Sequence, residues 1–163
     1  MQYFTFVSRS RFTLVALLTA FVCVSTVGCG AALRRAECAG VFVQCKDFVA
    51  VAAQKSDQLG PAAASPEGLA QAAAIYAELR DCVRSIDASK CPPEFKKAFD
   101  DFAAYTARLG DAGEEIVAAY QKATAGDAEA AETAKAKAQE FINLGLELDA
   151  RLKTLQEAAK KGQ

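Results

Sequence analysis

Histidine and tryptophan are absent from this 163-residue chain, methionine occurs once and proline four times. The lack of histidine removes the commonest general base and the commonest imidazole ligand for zinc, copper or haem iron. It also excludes the di-iron centre of ferritin-like bundles, which needs Glu-x-x-His on two helices. Positive charge is not in excess either: 19 Lys and Arg stand against 20 Asp and Glu, a net charge of −1. Nucleic acid is therefore not an expected partner. No cofactor is implied, and the only general bases left are carboxylates, so a non-catalytic role is expected. What the chain has in quantity is apolar residues, 52% of the total, in a length that suits one domain behind a short leader.

Arg9 and Arg11 precede Phe12 to Val27, sixteen residues without a charge. A spanning helix needs roughly 20 apolar residues. A basic flank followed by a shorter apolar core has the form of a secretory signal. Residues 1–28 are read as that signal and 29–163 as a single exported helical domain. At the junction, Thr26, Val27, Gly28 and Cys29 resemble the lipobox of bacterial lipoproteins, with Thr26 where that family usually carries Leu. The resemblance covers the first 29 residues only. It implies that Cys29 becomes the N-terminus and carries a diacylglyceryl group, usually with an added N-acyl chain. Several chains make a firm membrane anchor, since each buried CH₂ contributes about 0.8 kcal/mol. Gly30 in place of Asp after the cysteine implies, by the family's sorting rule, the outer membrane and a periplasmic face. An ordinary cleaved signal and an uncleaved anchor are the alternatives.

Cys38, Cys45, Cys82 and Cys91 remain in the exported part, an even number in an oxidising compartment, where disulfides are the default. From Leu33 to Leu59 the pattern reads helical and stops at Gly60 and Pro61. Ser65 and Pro66 read as the N-cap and first position of a second helix reaching about Asp87. In an antiparallel pair, residues at one height have a constant sum of residue numbers. Cys45 with Cys82 shares its sum with Val41 and Ile86, Phe48 and Leu79, and Ala52 and Ile75; Cys38 with Cys91 is two positions off. Nested bridges are expected, Cys45 to Cys82 inside Cys38 to Cys91, contributing about 4 and about 3 kcal/mol on a chain-entropy account. Neither the Cys-x-x-Cys of a redox centre nor the close pairs of a four-cysteine zinc site are present.

Beyond Pro92 and Pro93, the residues Phe95, Phe99, Phe102, Thr106, Leu109, Gly113, Ile116 and Tyr120 recur in steps of four and three, a heptad seam. Gly126 and Asp127 interrupt it, Asp127 being a good N-cap. Ala131, Ala134, Ala138, Phe141, Gly145, Leu148, Leu152, Leu155 and Ala159 then repeat it. Folding the two runs together faces Gly113 with Phe141 and Leu109 with Gly145, each glycine leaving room for a large side chain. A rival reading makes Gly110 a C-cap and Asp111 with Glu114 a capping box for a fresh helix.

The expected fold is all-α: an up-and-down antiparallel four-helix bundle. It joins a disulfide-stapled short hairpin, helices about 33–59 and 66–87, to a longer coiled-coil hairpin, about 93–125 and 128–160. The tip of the longer hairpin should overhang by roughly ten residues, about 15 Å. The segment from Ala118 to Ala138 is rich in Ala, Lys and Glu, and Lys122, Asp127, Glu129, Glu132, Lys135 and Lys137 are the candidate partner-binding residues there. These readings favour a lipid-anchored cell-envelope protein with a structural, spacing or partner-binding role. Its contacts would be the membrane, through Cys29, and another envelope protein. The alternatives are a thiol-redox or sensing protein using Cys38, Cys45, Cys82 and Cys91, and a carrier of a small apolar ligand between helices.

Overall fold

The computed structural model describes the backbone of residues 6–161 and the side chains of residues 33–62 and 65–161. Four α-helices make up the fold, and no strand occurs among the described residues. They are α1 (Phe6–Leu59), α2 (Pro66–Arg84), α3 (Pro93–Thr124) and α4 (Ala128–Lys161). The side chains of α1 are described from residue 33 onward, so the leader, residues 1–28, and Cys29 lie outside them. The helix ends follow local chemistry. A 3₁₀ turn, Gly60–Ala64, begins at Gly60 with φ +50° and leads to Ser65, whose hydroxyl accepts from the Gly68 amide at 3.0 Å. Gly126, at φ +98°, makes the turn between α3 and α4, and the Asp127 carboxylate accepts from the Ala130 amide at 3.0 Å. Both caps satisfy amides that a helix N-terminus leaves unpaired.

The helices form the expected bundle. α3 packs closely against both α2 and α4, while α1 rests more lightly on α2 and α4. One core cluster joins all four helices, with Phe95, Phe102, Leu109, Ile116 and Leu155 almost wholly buried. α3 does not break at Gly110: it runs straight through, because Gly110 and Gly113 lie under α2. A Cβ on Gly113 would stand 3.0 Å from the Cα of Ala73 and 3.3 Å from the Phe141 ring, and one on Gly110 would stand 3.1 Å from Arg80. Gly113 therefore faces Phe141 as the seam requires, and it also admits the α2 backbone.

Three expectations need correction. With Ala73 level with Gly113, Arg84 comes level with Phe102 and Pro66 with Tyr120. α2 is therefore displaced towards the tip, and the linker Ser85–Pro92 descends beside the base of α3 through about nine residues of rise, roughly 14 Å. α2 ends at Arg84, not Asp87, and α3 outlasts it at the tip by only Gln121 to Thr124, about 6 Å, in place of the ten-residue overhang. Second, Gly145 faces open space and Leu144 takes its place in the core. An α-helix drifts against a strict seven-residue repeat, and the buried positions of α4 step from Phe141 to Leu144 and Leu148. The Tyr105 hydroxyl, on α3, donates to the Leu144 carbonyl.

Third, the nested pair of bridges is not formed: no disulfide occurs among the described residues, and of the two expected pairs only Cys38 and Cys91 come near each other. The cause at Cys45 and Cys82 is the displacement of α2. Lys55 on α1 pairs with Glu78 on α2 at 2.6 Å; four residues along each helix from that pair, Cys82 comes level with Val51, and both line the same groove. Cys45 lies more than a turn lower and fully buried.

The two glycines should respond oppositely to a methyl group. Gly113→Ala overpacks backbone against backbone, which costs about 1–3 kcal/mol and outweighs the helix-propensity gain of about 1 kcal/mol. Gly145→Ala meets nothing within 4 Å and keeps that gain. Urea midpoints should fall for the first variant and rise for the second.

Candidate functional site

At the closed end of the long hairpin, α3 and α4 leave a cleft of about 380 Å³. Its floor is alanine, and its rim carries Glu115, Lys122, Asp127, Glu129, Thr133 and Lys137. Four of the six residues expected at the tip thus line one cleft. The other two, Glu132 and Lys135, pair with each other at 2.7 Å, one turn apart on α4. Within the rim, Lys137 meets Glu115 across the hairpin at 2.6 Å and Glu140 at 3.6 Å. Glu115 holds the Lys137 ammonium above its ordinary pKa, and Glu132 does the same for Lys135. These groups are solvated and screened by salt, so they contribute little to stability. Asp127 has a double position, capping α4 and lining the cleft.

A second polar cluster escaped the sequence reading. Arg80 lies over Gly110 with its side chain only 12% exposed, and its guanidinium binds Asp81 at 3.0 Å, Asp111 at 2.8 Å and Glu114 at 2.9 Å. The carboxylates raise its pKa further, Asp81 most of all. The cluster bolts α2 to α3. Asp111 and Glu114, a capping box in the rival reading, are in fact the clamp on one arginine. Their spacing carried a signal, since residues three apart share a helix face, but the partner could be found only once the height of α2 was known.

The thiols occupy the lower half of the bundle. Cys38 and Cys91 are both buried and near each other. Burial pushes the Cys45 and Cys91 thiols up to about 12, with Cys38 adding to the effect at Cys91. Cys82 is half-buried on the rim of a groove of about 200 Å³ between α1 and α2, lined by Phe48, Ala52, Ile75 and Leu79. Among the described residues, no group of three or more potential ligands gathers for a metal ion, and no helix is long and apolar enough to cross a membrane. Comparison with known protein families, curated sequences and solved structures finds no match.

The buried thiols make stability depend on alkaline pH with a definite sign. An unfolded thiol gives up its proton near 9, whereas Cys45 in the fold keeps it to about 12. The folded state therefore holds more protons in that window, and stability should fall as pH rises from 9 towards 12. Urea midpoints measured along this range should decline, less steeply for Cys45→Ala. Equal slopes in the two proteins would contradict the burial of this thiol. In native protein at pH 8, iodoacetamide should label Cys82 before Cys45.

Proposed function

We propose that this protein is a lipid-anchored bacterial envelope protein that presents the tip of a helical hairpin to another envelope protein. The observation that carries the reading is the cleft at the end of α3 and α4. Its lining on α3, Glu115 to Lys122, lies about 33 to 44 Å of helix rise from the base, where α3 begins and α4 ends. Acyl chains on Cys29 would hold the protein at the outer membrane, facing the periplasm, and the described helices then need no membrane span of their own. Lys122 and Lys137 on one side of the charge balance and Glu115, Asp127 and Glu129 on the other suit a partner surface of mixed charge. Such an interface gains specificity and association rate from complementary charges. The proposed role is non-catalytic, contact with a partner through charged side chains above an alanine floor.

Two measurements test the reading. Intact mass of the protein from a bacterial envelope should show a chain beginning at Cys29 with added acyl mass, and Cys29→Ser should move the protein from the membrane fraction to the soluble one. Photo-crosslinkers at Thr133 and Glu129 should capture one defined envelope protein. Capture should drop about tenfold, the loss of some 1.4 kcal/mol, in a Lys122→Glu, Lys137→Glu double variant or in high salt. An unprocessed, unacylated chain would overturn the anchor. Capture that ignores both charge reversal and salt would overturn the tip.

A further inference from the structure

Around the entry of α1 into the bundle, several features converge on one small region. Cys38 is the first buried side chain of α1 among the described residues. Cys91 ends the descending linker, its amide bonded to the Ala88 carbonyl at 3.0 Å and its side chain buried in the same core cluster. The two thiols lie near each other. Lys90 and Glu37, their immediate neighbours in sequence, pair at 3.8 Å across the same junction, so α1 and the linker are matched over two consecutive residues. Elsewhere α1 is the least firmly packed of the four helices, and a groove separates it from α2 at Phe48 and Ile75.

We propose that Cys38 and Cys91 form a single disulfide clasp that ties α1 to the α2–α3 linker, with Cys45 and Cys82 left as free thiols. The clasp differs from a nested pair of bridges in what it holds. It fixes the base of the lightest-packed helix, just where chain coming from an anchored Cys29 would transmit load into the fold. The oxidising setting rests on the export reading above. The chemistry is thiol–disulfide exchange with a disulfide donor such as oxidised glutathione. One protein thiol loses its proton and attacks a donor sulfur, releasing one donor thiol and leaving a mixed disulfide. The second protein thiol then loses its proton and attacks the protein sulfur of that bond, releasing the second donor thiol. Two electrons pass from the cysteine pair to the donor, and the donor disulfide becomes two thiols. Burial raises the thiol of Cys91 to about 12, which keeps the thiolate fraction small and makes closure of the clasp slow at neutral pH.

Full-length protein, purified in detergent and equilibrated with oxidised glutathione, gives the test. Trypsin places Cys38 and Cys45 together on residues 36–46, Cys82 on 81–84 and Cys91 on 91–96. Non-reducing mass spectrometry should find 36–46 joined to 91–96, with 81–84 alkylated. The link should survive Cys45→Ser and disappear in Cys38→Ser. Closing it should shift the unfolding equilibrium by about 100-fold, the effect of a typical native bridge. A link from 36–46 to 81–84, a link that survives Cys38→Ser, or four free thiols after equilibration would each overturn the clasp. In protein taken from the envelope, a lipidated chain with reduced Cys38 and Cys91 sinks the clasp and leaves the anchor. An unlipidated chain carrying the link sinks the anchor and leaves the clasp.

Discussion

The close approach of α2 to α3 at Ala73 and Gly113 sets the height of everything else in the molecule. Two backbones come within contact distance because neither helix places more than a methyl group between them there. That approach cannot slide by a turn without driving a side chain into backbone, and cores that are close-packed do not absorb such errors. Arg80 secures the same register from outside, its stem over Gly110 and its guanidinium on Asp111 and Glu114. Once α2 is pinned there, its C-terminus stands well above the base of α3. The linker must then descend, and Ala88 and Cys91 become core residues beside Phe95 and Phe99.

The long hairpin was legible from sequence because its information is local and repeated. Two runs of large and small residues at heptad spacing, joined by a glycine with positive φ and an aspartate cap, leave one way to fold together. The meeting of Gly113 with Phe141 followed directly. The one-position error at Gly145 came from treating the repeat as strict, although a helix turns every 3.6 residues. The height of α2 was not legible in the same way. At its closest approach to α3 the contact is made of alanine and glycine, residues that give a hydrophobic pattern little amplitude. Matching cysteine heights supplied a register that looked independent and was not: Phe48 and Leu79 do share a groove, but an offset of between one and two turns still brings apolar residues together. Cys45 and Cys82 are separated by that offset, whereas Cys38 and Cys91 escape it because Cys91 belongs to the linker and not to α2.

Of the candidate tip, composition disclosed the residues but not their arrangement. Lys122, Asp127, Glu129 and Lys137 converge on one cleft, while Glu132 and Lys135 satisfy each other on α4. The pairing of Lys137 with Glu115 across the hairpin depends on the register of two helices, as the Arg80 clamp does. The same constraint thus governs the two ends of the molecule. At the base it brings two thiols near each other, and along the body it shortens the free tip to about one helical turn beyond α2. The fold therefore ends in a short, charged tip.

The register of α2 is the claim on which this account turns, and nuclear Overhauser effects at Gly113 read it directly. The Gly113 α-protons should show strong cross-peaks to the methyl group of Ala73 and to the ring of Phe141 together. Cross-peaks to Phe141 alone, with Ala73 reporting a different residue of α3, would leave the long hairpin intact and contradict the placement of α2, and with it the descent of the linker.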